Sequence, residues 1–162
     1  ATFYNAKFYN AKFDNATFDN ATFYNAKFYN AKFDDRTIIN IREAGQLRMF
    51  RSYKNALWAS LLKNKFEVSF LRQSLIEGKI DGSCYEGACC CLKGTLANAK
   101  HVDYHLLDPD LVDPAEQWFL MIDPGMTPEN SEIVKLTLEW IDEFLALLNA
   151  EKVEQAGEGL SR

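Results

Sequence analysis

The sequence predicts a β-solenoid followed by a small all-α domain, and three observations lead to this fold class. The first 35 residues repeat every five residues, and the pattern of those repeats recurs after twenty. From Ser52 onward, apolar residues instead recur at spacings of three and four, which is typical of helices. We place the solenoid at 1–40, the helical domain at 41–150 and a flexible polar tail at 151–162.

Seven consecutive five-residue units read Ala-x-Phe-x-Asn, except that the seventh ends in Asp35. Steps of five rotate by about 140° around a helix. On a single long strand they alternate between the two faces. Neither structure collects the Phe residues on one side, whereas a coil that turns a corner after each unit points them all at a common axis. The predicted structural core is therefore Phe3, Phe8, Phe13, Phe18, Phe23, Phe28, Phe33 and Ile38.

The twenty-residue recurrence gives the number of sides. Units one to three reappear as units five to seven, so a coil of four sides stacks identical residues on each other. The expected stacks are Tyr4 on Tyr24, Tyr9 on Tyr29, Asn5 on Asn25 and Asn10 on Asn30, at the spacing of parallel strands. Residues 36–40 keep the frame with Ile38 at the Phe position, so we expect a degenerate eighth unit that closes a second coil.

The repeats at 1–40 resemble those of pentapeptide-repeat proteins, in which a small residue precedes a central Leu or Phe by two positions. The resemblance implies a right-handed, quadrilateral β-helix with one unit on each side. The segments "IDGSCYEGACCCLKGTLANA" and "WFLMIDPGMTPENSEIVKLTLEWIDEFL" are similar to helical segments that follow such repeats in uncharacterised bacterial and phage proteins. This second resemblance implies no activity.

Some pentapeptide-repeat proteins mimic duplex DNA and occupy the DNA site of gyrase, which requires a long acidic rod. Two coils rise only about 10 Å, and residues 1–35 carry four Lys and four Asp. We therefore do not expect DNA mimicry.

Several segments of the helical domain carry start or stop signals. The stretch 52–65 has an apolar stripe, Gly78 suits a helix end, and 86–100 is expected to be a short buried helix in which Gly87 and Gly94 allow close packing. Asp113-Pro114 with Glu116 predicts an N-cap, and Thr127-Pro128 predicts the start of a helix about 20 residues long.

Charge is distributed unevenly along the chain. Residues 36–80 carry nine Lys or Arg against three acids, a net +6, and residues 81–162 carry five against sixteen, a net −11. A basic stretch can attract nucleic acid, but we favour two oppositely charged halves of one domain, and nucleic acid is not an expected partner. No window approaches 18 apolar residues, so no membrane partner is expected. A cytoplasmic or virion-associated location is expected; secretion stays open, because the sequence begins in register without Met.

The Cys and His residues raise two alternatives to simple packing. Cys84, Cys89, His101 and His105 offer zinc ligands, but Cys89, Cys90 and Cys91 are contiguous, unlike the paired spacing of structural zinc sites. Reduced, buried cysteines that act as small hydrophobes are the favoured interpretation. A catalytic triad would join one Cys to His101 or His105 and to Asp103 or Asp108, but polar residues that fix a loop explain the same pattern.

Three acids, Asp108, Asp110 and Asp113, have the short spacing of a calcium loop. The Gly and the terminal Glu of that motif are missing. Turn and capping roles beside Pro109 and Pro114 suffice for these acids.

We therefore expect no catalytic residue, no metal and no cofactor. The favoured function is a non-enzymatic structural or protein-interaction module: a rigid β-helix spacer capped by a helical docking domain, within a larger assembly or filament. The alternative is a Cys/His-dependent enzyme or zinc-binding protein that uses the 84–105 region. The candidate partner surface on the outside of the coils consists of Tyr4, Tyr9, Tyr24, Tyr29, Lys7 and Lys27. Since no polar capping unit covers the first coil, a homo-oligomer through that N-terminal coil is expected.

Overall fold

The computed structural model describes residues 1–107 and 113–160. Six short strands come first: β1 (Thr2–Tyr4), β2 (Lys7–Tyr9), β3 (Lys12–Phe13), β4 (Thr22–Tyr24), β5 (Lys27–Tyr29) and β6 (Lys32–Phe33). Six helices follow: α1 (Asp35–Glu43), α2 (Arg51–Lys63), α3 (Val68–Ile76), α4 (Leu92–Lys100), α5 (Pro114–Phe119) and α6 (Glu132–Leu160). Short 3₁₀ turns lie at Leu47–Phe50, Lys65–Glu67 and Tyr104–Leu107.

The strands form three parallel pairs, β1–β4, β2–β5 and β3–β6, in which each residue pairs with the one twenty positions later. We call residues 1–20 the first layer and residues 21–33 the second layer. The rings of Tyr4 and Tyr24 stack with centroids 5.0 Å apart, and Asn25 Nδ2 donates to Asn5 Oδ1 at 2.9 Å. The predicted solenoid at the N-terminus, followed by a helical part, is confirmed.

Asparagine forms the corners between the sides. Asn5, Asn10, Asn15, Asn20, Asn25 and Asn30 all have positive φ, between 49° and 58°. Most side chains clash with the backbone in this left-handed region, and Asn is one of the few residues that enters it readily. The turn conformation therefore favours Asn at the fifth position of each unit. The hydrogen bonds between stacked Asn side chains form in addition, on the outside of the solenoid.

The repeat Phe residues point inward but are not equally buried. Phe23, Phe28 and Phe33 of the second layer are buried, because the first layer covers them on one side and the helices on the other. Phe8, Phe13 and Phe18 are half-buried, and Phe3 is 38% exposed. The apolar axis of the solenoid thus opens at the first layer.

The expected eighth repeat unit is not a repeat. Residues 36–40 belong to α1, whose N-cap Asp34 accepts a hydrogen bond from the Thr37 backbone N–H. The helix takes the place of a fourth side: Thr37 Oγ1 accepts from the Ala16 N–H at 2.9 Å and donates to the Phe13 carbonyl at 2.8 Å. Asn40 Nδ2 donates to the Ala16 carbonyl. The N-cap at Asp34 starts a helix where the five-residue pattern predicted another repeat unit. Ile38 is nevertheless fully buried, as expected.

The core of the solenoid continues into the core of the helices. The Phe33 ring packs edge-on against Phe50 with centroids 4.9 Å apart, and Phe28 stacks on Tyr53 at 6.0 Å. Trp118 lies against both Phe50 and Tyr53, and its Nε1 donates to Thr137 Oγ1 at 2.7 Å. The buried apolar residues form one cluster that extends from Phe23 to Phe144.

Three details of the helical part differ from the sequence-based expectations. Helix α4 begins only at Leu92. Its residue Gly94 packs closely against the Tyr85 backbone, since a Cβ there would lie 2.2 Å from the Tyr85 carbonyl oxygen. Gly87 instead serves a turn with φ +116°. Helix α6 starts after Ser131, whose Oγ accepts from the Val134 N–H, and not at Thr127.

The polar segment expected to be a flexible tail from residue 151 continues α6 as far as Leu160. The Glu, Lys, Gln and Ala residues between 151 and 156 favour a helix, and the helix continues through Gly157 despite its low helix propensity. No membrane-spanning helix of sufficient length and apolarity is found in the part of the chain that the structure describes.

The basic and acidic parts of the chain face each other. Arg42 of α1 pairs with Glu139, Lys54 of α2 with Glu143 and Arg72 of α3 with Asp142. All three acids lie on α6. Three of the nine basic side chains of residues 36–80 are thus paired with acids of the following segment.

Candidate functional site

The outward side of the first layer presents backbone groups that the second layer does not pair. In the second layer, the Thr22 N–H donates to the Ala1 carbonyl, and the Tyr24 carbonyl accepts from the Asn5 N–H. The equivalent backbone groups of Thr2 and Tyr4, twenty residues earlier, point away from the second layer. The same holds for the other two sides. The Lys27 and Lys32 N–H groups donate to the Ala6 and Ala11 carbonyls. The equivalent N–H groups of Lys7 and Lys12 therefore point outward, as does the carbonyl of Tyr9, whose equivalent Tyr29 accepts from the Asn10 N–H.

This surface, which we call the end face, combines unpaired strand edges with a partly open apolar axis. Its backbone donors and acceptors belong to Thr2, Tyr4, Lys7, Tyr9 and Lys12, and within the described ranges 1–107 and 113–160 no segment lies over them. The partly exposed ring of Phe3 lies between these strand edges. Bare strand edges of this kind pair readily with another chain.

The tyrosines of the candidate partner surface lie on the sides of the solenoid, next to the end face. Tyr4 is 70% exposed and Tyr9 is 61% exposed, whereas Tyr24 is less exposed and Tyr29 is half-buried. Their rings stack in the expected pairs, with Tyr9 and Tyr29 centroids 4.8 Å apart. Lys7 pairs in register with Lys27, and both are exposed.

The cysteines are held by packing and capping contacts. Cys91 is buried, and its Sγ accepts from the Gly94 N–H at 3.5 Å as the N-cap of α4. Burial raises the pKa of the Cys91 thiol to about 12, and burial also raises the pKa of Cys90. The raised pKa disfavours the thiolate, which is the reactive form, at both positions.

The structure does not assemble the alternative zinc ligands. In the described residues, the group of at least three potential ligand atoms within 4.8 Å of one another consists of Glu86, Asp103 and His105, all exposed. Cys84 and Cys89 are half-buried and do not belong to this group, and His101 ends α4 with left-handed backbone.

The residues of the suggested triad and calcium loop have local roles where they are described. The Asp103 carboxylate accepts from the His105 backbone N–H and contacts His105 Nδ1 at 2.8 Å, and the backbone hydrogen bond lowers its pKa. Asp113 caps α5 by accepting from the Ala115 N–H. Asp108 and Asp110 lie outside the described residues.

Sequence reasoning missed the buried carboxylate of Glu116. It was expected to cap its own helix, α5, but its Oε1 accepts from the Lys93 backbone N–H at the start of α4, at 2.9 Å. Burial raises the pKa of Glu116. The contact joins two helices, and no local sequence signal identifies such a partner.

The family comparison agrees with the geometry of the N-terminal segment. A family model described as pentapeptide repeats (9 copies) matches residues 1–37. The N-terminal segment is therefore similar to pentapeptide repeats. A search of curated proteins and a search of solved structures found no match to the chain. Pentapeptide repeats are typically a structural or protein-interaction module. We therefore take the end face, and not the cysteines, as the candidate functional site.

Proposed function

We propose that this protein is a non-enzymatic protein-interaction module that binds another protein through the end face. In this proposal the pentapeptide repeats form a right-handed, quadrilateral β-helix of about two coils. Helix α1 stands in for the fourth side of the second coil, and the helical part caps that end. The β-helix then acts as a rigid spacer within a larger assembly.

The observation that carries the proposal is the difference between the two ends of the repeats. The second layer is covered by helices, with Phe28 and Phe33 each only 4% exposed. The first layer presents free strand edges and the partly exposed ring of Phe3. A partner that adds strands at this face would satisfy the backbone groups and cover the apolar axis, as in other cases of strand addition.

The exposed tyrosines supply a neighbouring contact surface. Tyr4 and Tyr9 lie beside the end face, and aromatic side chains are enriched at the centres of protein interfaces. A partner seated on the first layer would therefore also reach these two rings.

The test is the self-association of this 162-residue chain. We expect sedimentation velocity to show association that rises with concentration and that Phe3→Asp abolishes, because a charge at the open axis cannot be covered without cost. The control is Phe66→Asp, which replaces a phenylalanine that is 98% exposed on the helical part and should leave association unchanged. Association that Phe66→Asp disperses and that Phe3→Asp leaves intact would contradict the proposal.

A further inference from the structure

We infer that the occupant of the end face is a second copy of this chain, bound head to head about one two-fold axis that passes through the middle of β1 and of β3. This inference rests on the proposed function, since it names the partner of the same face. It also specifies the register, which association alone does not establish.

The covered second layer decides the symmetry. Head-to-tail stacking needs a free end on both sides of the repeats, but helix α1 and the segment around Phe50 and Tyr53 occupy the second-layer end. A second copy can therefore meet the first layer only with its own first layer. Such an isologous contact closes after two chains and does not propagate into a fibre.

The backbone geometry of the end face suits this arrangement. A two-fold axis perpendicular to the solenoid axis reverses strand direction, so the strands of the two copies pair antiparallel. With the axis at Phe3 and Phe13, Thr2 lies opposite Tyr4 of the second copy, and Lys12 opposite Asp14 of the second copy. The N–H groups of Thr22, Lys32 and Asp34 and the C=O group of Tyr24 point toward the first layer. By the twenty-residue equivalence, the matching N–H groups of Thr2, Lys12 and Asp14 and the C=O group of Tyr4 point outward. Opposed residues of an antiparallel hydrogen-bonded pair exchange both bonds.

Charge selects this register among the four that a square face allows. The charged side chains of the first layer are Lys7, Lys12, Asp14 and Asp19, and all four are exposed. The same axis that sets Lys12 opposite Asp14 of the second copy sets Lys7 opposite Asp19 of the second copy. Every charge then faces an opposite charge, and each contact occurs twice.

The other three registers are poorer. An axis through the middle of β2 places Lys7 opposite Tyr9 and Lys12 opposite Tyr4, so that no opposite charges face each other. The two axes through corners match only one lysine with one aspartate: Lys12 with Asp19, or Lys7 with Asp14. Opposite charges directly across antiparallel strands stabilise the pair, and like charges destabilise it.

Charge reversal and its compensation test the register. Lys12→Asp places like charges opposite each other at two symmetric points, so we expect the dimer dissociation constant to rise about tenfold. The double variant Lys12→Asp/Asp14→Lys exchanges the charges within one strand and should restore the dissociation constant to within about threefold of the starting protein. Sedimentation equilibrium on the full chain measures both values.

The matched control is Lys65→Asp, which makes the same charge change on the helical part, away from the repeats. It is exposed and should leave the dissociation constant unchanged. Circular dichroism melting of each variant verifies that the fold is retained, and Lys7→Asp with its compensated form Lys7→Asp/Asp19→Lys provides an independent pair if the first set unfolds.

The outcomes separate this inference from the proposed function. Association that Phe3→Asp abolishes, but that Lys12→Asp leaves unchanged or that the double variant fails to restore, overturns the register while the end face stands as the contact. Association into species larger than a dimer through the end face overturns the two-fold symmetry. A chain that stays monomeric at high concentration overturns this inference, and the proposed end-face contact then requires a different protein.

Discussion

At the scale of single residues, the position of a Phe along the solenoid axis decides how much it stabilises the fold. Phe3 and Phe23 occupy equivalent positions and stack with centroids 5.0 Å apart. Phe23 is only 7% exposed and Phe3 is 38% exposed. The same residue type in the same repeat therefore contributes differently, because only the second layer is covered on both sides.

We expect Phe23→Ala to lower the free energy of unfolding by about 3–5 kcal/mol, the usual range for truncating a buried ring. Phe3→Ala is the matched control and should cost less than half as much, since the ring is partly in water already. Urea denaturation of both variants, at a concentration where the chain is monomeric, measures the difference. Equal costs would contradict the unequal burial of the two layers.

The corner asparagines act through their backbone conformation. Asn25 has φ 54°, where an alanine loses about 1–2 kcal/mol relative to a right-handed conformation. We expect Asn25→Ala to be more destabilising than Asn25→Gly, because glycine adopts positive φ freely even though both variants lose the hydrogen bond to Asn5. Thermal melting of the two variants compares them directly; a more stable alanine variant would show that the ladder, and not the turn, sets this position.

At the scale of elements, helix α1 completes the solenoid with side chains where a strand would use its backbone. Thr37 is fully buried and bonds both Phe13 and Ala16. The Asp34 carboxylate also accepts from the Asn15 N–H at 3.1 Å, and these contacts lower the pKa of Asp34, with the Thr37 hydrogen bond as the main cause. The helix is therefore part of the repeat structure and not only a connection.

Thr37→Val tests this role with a side chain of almost the same shape. It leaves the Ala16 N–H and the Phe13 carbonyl without their partner, so we expect a loss of about 1–3 kcal/mol in stability. Hydrogen exchange at the Ala16 amide should also accelerate. The control Thr17→Val changes an exposed threonine of the first layer, next to Ala16. It should shift stability by no more than about 0.5 kcal/mol.

The link between α5 and α4 depends on the ionisation of Glu116. Burial raises its pKa above the ordinary value of 4.5, so the folded state favours the protonated acid. Its contribution to stability is therefore fully present below pH 4.5 and is lost as the pH rises through the folded pKa. Glu116→Gln keeps an oxygen acceptor for the Lys93 N–H but cannot ionise. We therefore expect the difference in stability between this variant and the starting protein to favour the variant more at pH 7 than at pH 4. The exposed control Glu129→Gln should show no such gain in melting temperature.

The repeats could be predicted from the sequence because each unit specifies its own geometry. The inward Phe, the Asn corner and the twenty-residue stacking are all local or strictly periodic signals. The end of the repeats at Asp34 could not be predicted in the same way, because Ile38 fits both a repeat and a helix. The Glu116–Lys93 contact joins residues far apart in the sequence, and only tertiary packing brings them together.

The sequence predicts self-association through the first coil, but it does not predict the two-fold register that we propose for the end face. The expectation of self-association followed from the uncapped first coil. The symmetry required the covered second layer, and that depends on where Phe50 and Tyr53 lie in the fold.

At the scale of the whole molecule, the repeats and the helices share one apolar core. Phe28 and Phe33 contact Tyr53 and Phe50, and these in turn contact Trp118. Hydrogen bonds cross the same boundary, such as that from the Asn30 N–H to Gln117 Oε1 at 2.8 Å. Two short layers of repeat would not bury enough surface alone, so the helices supply the missing coverage.

We therefore expect the repeats and the helices to unfold in a single transition. The three tryptophans, Trp58, Trp118 and Trp140, lie in the helical part, so their fluorescence reports on the helices even when the substitution is in the repeats. Phe28→Ala should lower the midpoint of the tryptophan transition and of the circular dichroism transition by the same amount, because both parts lose one shared core contact. The exposed tyrosine variant Tyr9→Ala serves as the control and should move both midpoints only slightly. If Phe28→Ala leaves the tryptophan midpoint unchanged, or if the two signals separate, then the repeats form an independent folding unit.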